Sequence, residues 1–483
     1  MSNGARPFTA IIIGGGFSGV TAAIKLLDAA GGRPLRLRIV EPRAELGQGL
    51  AFSTSDPAHY LNGPARLFGL HPDRPDHLVD WVAAREEAAG IPLPPSGRLA
   101  DSFVPRALYA AYVRAELARA QGEAGIGSSV EHVRAEAVDL REGPDGVGVT
   151  LSDGRLLRAD IALLATGFSG NRPGFAVDEP ALRGERYVAD PWSLGARPVP
   201  RDGTVLFVGG GLTMLDALVS LERRGFSGSY VSVSRHGLLI HERREPPPAA
   251  DFLAGDLPAT ARDLLVRVRQ ALARIAAEGG DWQAVVPVIR ARLAELWAGA
   301  SPAERARFNR HLRRYWELAL HRAPGPSNVV FTEVRAQGRL AARPGRIVGI
   351  SDDGASAVVR LRPRGGGPEE EVRVDLVVNC TGAEYAWPRI TDRPLVTALL
   401  GRGTVRPGGL GYGIDVDADA AVIGADGVAS ARVFGIGPIL RGTRWESTTI
   451  AEIVAQAGAF GQLIAARHLT PVQAPAAAHA SAA

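Results

Sequence analysis

The sequence predicts an α/β fold built from two copies of one unit, and three observations carry that prediction. A β-branched run, Thr9–Ile13, leads into the glycine-rich segment GGGFSG at 14–19 and then into an apolar helix. A second apolar run from Thr204 leads into GGGLTM at 209–214 and another apolar helix. Each copy continues into short strands with turn signals and closes on an Asp-x4-small-Thr-Gly segment, DIALLATG at 160–167 and DLVVNCTG at 375–382. A strand, a glycine turn and a helix in this order predict a Rossmann-like dinucleotide-binding domain, here present twice.

Length and composition exclude several classes of protein. The 483 residues exceed what one hydrophobic core usually supports, so at least two domains are expected. The 55 basic and 51 acidic residues leave a net charge of only +4 with no basic run, so no nucleic-acid partner is expected. Cys380 is the sole cysteine, which argues against a disulfide, a cysteine metal site and dithiol reductase chemistry, and no metal is expected. No apolar stretch approaches the roughly 20 residues that span a bilayer, and no signal peptide is recognisable. We therefore expect a cytoplasmic protein without a membrane partner.

The order of segments predicts a discontinuous domain organisation. Residues 1–195 and 383–470 are expected to form the first domain, and residues 196–382 the second. A stretch rich in Ala, Leu, Arg and Glu between two proline clusters predicts a helical insertion at about 246–326 within the second domain. The Ala/Pro-rich segment 471–483 predicts a disordered tail.

The first glycine segment has the features of an FAD site. Gly14 permits the tight turn, Gly16 lets the backbone approach a pyrophosphate, and Gly19 lets helix and strand pack closely. Phe17 and Ser18 follow at the helix N-terminus, whose free N–H groups attract phosphate. Glu41 ends the next strand, where a carboxylate holds the hydroxyls of an adenosine ribose. Thr166 and Gly167 close the unit beside the same cofactor.

The second segment predicts an NADPH site. Gly209 and Gly211, followed by Leu212 and Thr213, repeat the turn, although Met214 replaces the third glycine. The following strand ends in Ser234-Arg235 instead of an acid, so a 2′-phosphate is not repelled and Arg235 is able to pair with it. The alternative, that Arg235 only solvates a strand end, stays open. Thr381 and Gly382 close this unit as Thr166 and Gly167 close the first.

Several further motifs resemble one bacterial group. These are GQGLAF at 47–52, LNGP at 61–64, the ATG of 165–167 and GPILRGTRWES at 437–447. With the first glycine segment they resemble the YdhS-like FAD/NAD(P)-binding proteins over nearly the whole chain. The characterised branch of that group includes L-aspartate N-hydroxylases, which form nitrosuccinate. The segment DIALLATGFSGNRP at 160–173 is similar to the D-x3-L-ATG-aromatic-x4-P pattern of N-hydroxylating flavin monooxygenases.

The resemblance also implies site residues. The segment 437–447 is expected to pass the isoalloxazine ring, so Arg441 and Arg444 would bind the two carboxylates of a substrate, with Arg290 of the insertion completing the catalytic cluster. The alternative interpretation is that these three arginines are ordinary surface residues without a role in substrate binding. Asn62 and Gln48 are expected near the flavin, Asn62 also near substrate, and Trp445 is assigned to the cofactor site although packing is its simpler role.

These observations lead to one function with two alternatives. We expect an FAD-dependent monooxygenase that consumes NADPH and molecular oxygen and N-hydroxylates a small acidic amine through a C4a-hydroperoxyflavin. L-Aspartate, converted to N-hydroxyaspartate and on to nitrosuccinate, is the best substrate candidate. An FAD/NADPH reductase or oxidase that oxygenates no amine, or a non-catalytic flavin-binding sensor, carries the same glycine segments. Whether the chain forms a homodimer is left open.

Overall fold

The computed structural model describes residues 7–168, 170, 173–199 and 201–469. Its strands fall into three sheets and are, in chain order, β1 Phe8–Ile13, β2 Leu35–Val40, β3 Ser129–Val133, β4 Ala137–Gly143, β5 Gly146–Leu151, β6 Leu156–Ala159, β7 Ile161–Leu164, β8 Ala176–Val177, β9 Tyr187–Val188, β10 Thr204–Val208, β11 Ser229–Ser234, β12 Leu340–Asp352, β13 Ala357–Pro363, β14 Glu370–Val374, β15 Leu376–Val378, β16 Ala421–Ile423 and β17 Ala429–Gly435. The helices are α1 Phe17–Ala30, α2 His77–Ala83, α3 Arg106–Gly122, α4 Glu179–Arg183, α5 Leu212–Arg223, α6 Ala261–Ala277, α7 Val285–Gly299, α8 Pro302–His311, α9 Arg313–Leu320, α10 Gly325–Ala336, α11 Pro394–Arg402 and α12 Ile450–His468.

The first sheet has the order β16-β17-β7-β1-β2-β3, and all its neighbours are parallel except the antiparallel pair β16–β17. The side chains of β1 alternate between its two faces. Ile12 packs with α1, α3 and α12, whereas Ile11 and Ile13 pack under the antiparallel sheet β4-β5-β6 and α11. Because both faces are covered, the middle of β1 is wholly apolar. Strand β3, expected in the strand-and-turn region, instead extends the parallel sheet beside β2.

The second sheet repeats this arrangement around β10. Its order is β14-β13-β12-β11-β10-β15-β9, with β8 paired to β12. The parallel part comprises β12, β11, β10, β15 and β9, and β12 continues past residue 344 into an antiparallel ladder with β13. Strands β8 and β9 precede the predicted boundary at residue 195 and yet belong to this sheet, so the chain passes to the second sheet before Ala176.

An aspartate fixes the closing segment of each unit in the same way. In the first unit the Asp160 carboxylate accepts a hydrogen bond from the Thr9 backbone N–H at 2.7 Å, at the start of the sheet's central strand. In the second, the Asp375 carboxylate accepts from the Thr204 N–H at 2.7 Å. The recurring aspartate of the sequence pattern therefore caps the adjacent strand, and the two units are copies in detail as well as in order.

The helical region and the C-terminal segment complete the fold. Helices α6 to α9 lie within the predicted insertion and share an apolar core that includes Trp297 and Trp316. Strand β17 joins the first sheet beside β7, and α12 packs on α1, where a Cβ at Gly461 would lie 2.7 Å from the Lys25 carbonyl oxygen. Among the described helices, none is long and apolar enough to cross a membrane. The predicted disordered tail, 471–483, lies outside the described residues.

Candidate functional site

The two glycine turns have the same geometry. Gly14 has φ of +107°, and a Cβ there would lie 2.3 Å from the Ala165 carbonyl oxygen of the closing segment. Gly209 has φ of +125°, and its Cβ would lie 2.5 Å from the carbonyl oxygen of Cys380. Each glycine donates its N–H to a carbonyl oxygen at the end of the next strand, Gly14 to that of Val40 and Gly209 to that of Val233, both at 2.9 Å. A side chain is thus excluded at both positions by the backbone of the closing strand.

The first turn opens on a cleft of about 470 Å³. Eight of the residues predicted from sequence for the FAD site lie in its wall, namely Gly14, Gly16, Phe17, Ser18, Glu41, Gln48, Thr166 and Gly167. Gly19 lies behind the wall, where a Cβ would be 1.9 Å from the Gly14 carbonyl oxygen, which is the close helix–strand contact expected of it. The cleft is also lined by residues that sequence reasoning missed, among them Phe52, Trp387, Arg393, Thr448 and Ile450.

Glu41 is held at the rim of this cleft by backbone groups. Its Oε2 accepts from the N–H of Gly15 at 2.9 Å and its Oε1 from the N–H of Arg43 at 3.1 Å. These bonds use one acceptor position on each oxygen, so further positions remain for hydroxyl donors. Gln48 lies in the same wall, but its side-chain amide donates to Glu45 at 2.7 Å.

The strand ends of the second unit form a cationic cluster. Arg235 is exposed, and its neighbour His236 hydrogen-bonds with Arg364 of the β13–β14 turn. Burial lowers the pKa of His236, and the charges of Arg364, Arg235 and Arg314 lower it further. Within the described part of the chain, neither Arg235 nor Arg364 forms an ion pair with a carboxylate. The cluster therefore has unused positive charge at the end of β11, and Arg364 and Arg314 are members that sequence reasoning missed.

Other residues assigned to the second unit have local partners. Thr381 Oγ1 donates to Asn379 at 2.8 Å, and Ser234 has a buried hydroxyl without a protein partner. Leu212 begins α5 directly after Gly211, and Gly382 has φ of +87°, like Gly167 with +66°. Thr213 lines a separate cavity of about 100 Å³ with Asp56, His59 and Trp192.

Arg441 lies in the fully buried contact between the helical insertion and the segment that carries β17 and α12. Its Nη2 donates to Glu317 of α9 at 2.8 Å, and its Nη1 to the Tyr385 hydroxyl at 3.3 Å. The guanidinium lies 4.5 Å from the ring centres of both Tyr385 and Trp445. Trp445 itself packs on Trp297 and is absent from the wall of the cleft, so packing accounts for its position and its contact with the cofactor stays a prediction.

Arg444 and Arg290 have different partners from Arg441. Arg444 donates to the carbonyl oxygen of Ala418 at 2.9 Å, and Arg290 pairs with Glu452 of α12 at 2.7 Å. The guanidinium groups of Arg441 and Arg444 therefore do not converge on one ligand, since Arg441 donates to Glu317 of the insertion and Arg444 to the backbone at residue 418. Arg290 and Arg441 do face a common charged region, since both lower the pKa of the buried His321, which burial and these charges bring to about 4.

Asn62 borders this region from the first unit. Its carbonyl oxygen accepts from Arg243 Nη1 at 2.8 Å, and Arg243 also pairs with Glu245 at 2.5 Å. Asn62 is not in the wall of the cleft, so its contact with flavin stays a prediction. Arg243, with Glu317 and Tyr385, was missed because nothing in their local sequence marks them.

The one trio of metal-ligand type among the described residues is His71, His77 and Glu116. Its carboxylate is already bonded, to His71 at 2.6 Å and to Arg119 at 2.9 Å. Burial alone would raise the pKa of Glu116, but these hydrogen bonds lower it to about 2. The trio is a satisfied ion-pair network.

Comparison with known proteins agrees with this geometry. The model of a family described as FAD-NAD(P)-binding matches residues 11–169, which confirms the predicted class of cofactor. A search of curated proteins finds no match. Ornithine N-hydroxylase from Kutzneria sp. 744 matches with a TM-score of 0.62 and 14% identity over 96% of this chain and 100% of its own. L-Lysine 6-monooxygenase from Pseudomonas syringae matches with a TM-score of 0.60 and 15% identity over 94% of this chain and 98% of its own. Ornithine hydroxylase from Pseudomonas aeruginosa matches with a TM-score of 0.59 and 16% identity over 95% of this chain and 99% of its own. Similarity at this identity confirms the predicted α/β fold.

Proposed function

We propose that this protein is an FAD-dependent monooxygenase that consumes NADPH and hydroxylates the nitrogen of a small amine. The observation that carries the proposal is the pairing of two geometrically equivalent dinucleotide turns with a buried, charged region beside the first cleft. The ornithine and lysine hydroxylases that share the fold support the reaction type.

The residues of the first cleft fit FAD. The N-terminus of α1, capped by Gly16 without any side-chain hydrogen bond, offers free N–H groups to a pyrophosphate. A Cβ at Gly16 would lie 3.0 Å from the Cα of Gly49, so the two loops leave room only for backbone. Glu41 is positioned for the ribose hydroxyls. In the second unit Gly209 and Gly211 would let the backbone approach the pyrophosphate of NADPH in the same way. Arg235 would then bind the 2′-phosphate, with Arg364 beside it.

The bound flavin supplies the activation of oxygen, and the chain supplies binding, orientation and the exclusion of water. The contact between the helical insertion and the C-terminal segment is suited to the exclusion of water. Arg441, 2% exposed, and Trp445, 1% exposed, close it against solvent. An amine held beside the cleft must lose its proton there, because only a free lone pair attacks oxygen.

The contacts of Arg441 and Arg290 do not select one amino acid as the substrate. L-Aspartate is kept as a candidate, on the resemblance noted above. The contacts of Arg441 with Glu317 and of Arg290 with Glu452 mean that a second substrate carboxylate would compete with a protein carboxylate for either guanidinium. L-Ornithine and L-lysine, named for the structural neighbours, are therefore equal candidates in the test.

The test is a purified, FAD-loaded enzyme with NADPH and oxygen, incubated with each of these three amino acids. We expect faster NADPH oxidation with one of them, and a hydroxylamine, oxime or nitro product by mass spectrometry. NADPH oxidation that yields only peroxide with every amine would favour an oxidase, and no NADPH oxidation at all would favour a sensor.

A further inference from the structure

The segment from Arg441 to Glu452 carries an unusual number of buried polar atoms that lack a protein partner. They are Arg441 Nε, Trp445 Nε1, Glu446 Oε2, Ser447 Oγ, Thr449 Oγ1 and Glu452 Oε2. A buried polar atom without a partner destabilises the fold, because it gives up its hydrogen bonds to water and receives none in return. Six in twelve residues indicate that the segment is built around a polar ligand.

Two carboxylates of this segment are held in the same manner. Glu446 uses Oε1 to accept from the indole N–H of Trp316 at 2.8 Å, and Glu452 uses Oε1 to accept from Arg290 at 2.7 Å. In each, Oε2 is buried and accepts nothing from the described residues. Glu446 and Glu452 also lie near enough for the charge of one to act on the other.

The position of the carboxylates relative to the cleft is set by the chain between them. Thr448 and Ile450 lie in the wall of the cleft, whereas Glu446 and Trp445 contact the insertion. Ser447, 0% exposed and with a hydroxyl that has no hydrogen-bond partner, lies between Glu446 and Thr448 in the chain. A group bound at the free oxygens of Glu446 and Glu452 is therefore next to the cofactor cleft.

The chemistry of these atoms selects the ligand. Two free carboxylate oxygens accept hydrogen bonds, and a primary ammonium donates three. Hydroxyl oxygens at Ser447 and Thr449 accept a further one. An anion at the two carboxylate oxygens would meet two like charges, whereas the two unpartnered N–H donors of the set, Arg441 Nε and Trp445 Nε1, suit an acceptor such as the carboxylate of the same amino acid.

We propose that Glu446 and Glu452 bind the ammonium group of the substrate and that Glu446 accepts its proton. The proposal rests on the proposed function. One N–H bond of the ammonium breaks and one O–H bond forms on Glu446 Oε2, giving a neutral amine and a neutral carboxyl group. The nitrogen keeps the electron pair, and no oxidant is involved in this step.

The surroundings of Glu446 suit a proton acceptor. Trp316 of α9, Arg290 of α7, Glu452 of α12 and Arg441 of its own segment face it. Burial raises the pKa of Glu446, and Glu452 raises it further, while the Trp316 hydrogen bond and Arg441 oppose the shift. A raised pKa makes the carboxylate a stronger base than an exposed glutamate.

The test uses Glu446→Gln, which keeps an oxygen for Trp316 and removes the charge. Calorimetric titration of L-ornithine, L-lysine and L-aspartate into FAD-loaded enzyme without NADPH needs no turnover. We expect the wild type to bind at least one of them at neutral pH and E446Q to bind it at least tenfold more weakly. Glu278→Gln, the same change at an exposed position of the insertion, should bind as the wild type does.

Turnover gives the second measurement. In E446Q we expect amine-dependent product formation to fall by about 10²–10³-fold at neutral pH, the usual contribution of a general base, and to recover at alkaline pH where the free amine is already neutral. NADPH oxidation without amine should not change. Trp316→Phe, which removes the indole N–H together with its five-membered ring, should raise KM more than it lowers kcat.

The outcomes separate the two proposals. If no amine yields product but E446Q weakens amine binding, the proposed function fails and the ammonium site stands. If E446Q binds the amines as tightly as the wild type, or no amine binds the wild type, the ammonium site is refuted whatever the product assay gives. A product rate in E446Q with the pH profile of the wild type would refute the proton transfer.

Discussion

Replacement of Gly14 by alanine should remove FAD binding and leave NADPH binding unchanged. Its φ of +107° is a conformation that residues with a Cβ rarely adopt, and the added Cβ would lie 2.3 Å from the Ala165 carbonyl oxygen and 2.8 Å from its carbon. Both neighbours are backbone of the closing strand and do not rotate away. The backbone strain alone costs about 1–3 kcal/mol, which corresponds to a loss of roughly 5- to 150-fold in affinity if it is expressed in binding.

The assay is the FAD content of the purified variant by absorbance, followed by titration of FAD and of NADPH. Gly209→Ala, whose Cβ would lie 2.5 Å from the Cys380 carbonyl oxygen, should show the reverse pattern. Gly154→Ala is the matched control, because it also has positive φ, +86°, but has no atom within 4 Å of the added Cβ. If G14A and G209A weakened both cofactors equally, the assignment of one cofactor to each unit would be refuted.

Three further predictions follow from the ion pairs and the cationic cluster. Arg235→Ala and Arg364→Ala should each weaken NADPH by about tenfold and leave NADH unchanged in competition titrations, since a 2′-phosphate contact is present in only one cofactor; equal losses for both would contradict the assignment. Arg441→Met should lower the free energy of unfolding in urea by about 1.5–3 kcal/mol, because Glu317 loses one of its two arginine partners and keeps only Arg313, at 2.9 Å, and the same change should cost less in a Glu317→Gln background. The pKa of Glu116 is about 2, below its ordinary value of 4.5, so its contribution to stability is present above pH 4.5 and disappears as the pH falls towards 2. That contribution is at most about 3 kcal/mol, and Glu116→Gln should flatten the fall in urea midpoint between pH 5 and pH 2.

The predictions from sequence succeeded where the determinant is local. The eight residues of the cleft wall were found because a glycine turn, a helix N-terminus and a strand-ending acid lie within one stretch of chain and have fixed relative geometry. Arg235 also follows its strand directly, and its contact with a 2′-phosphate stays a prediction. The predicted boundary at residue 195 lies just before the second strand–glycine–helix unit, and the short strands β8 and β9 give no pattern long enough to show which sheet they join.

The arginine cluster shows the limit of that approach. Resemblance and charge put Arg441 and Arg444 at one substrate, but in the folded protein Arg441 donates to Glu317 of the insertion and Arg444 to the carbonyl oxygen of Ala418. The partner of Arg441 is 124 residues away in the sequence. No motif marks Glu317, Arg243 or Trp316, because each takes its role from what the folded insertion brings against it.

The sequence by itself determined the two dinucleotide units, since the backbone conformation that they need is available to glycine and excluded for other residues. The tertiary structure alone decided which charges are free and which are paired. The pairing depends on contacts between the insertion, the segment around Trp445 and α12, which are distant in sequence. It also depends on burial, which shields an ion pair such as Arg441–Glu317 from water and leaves an atom such as Glu446 Oε2 without a hydrogen-bond partner.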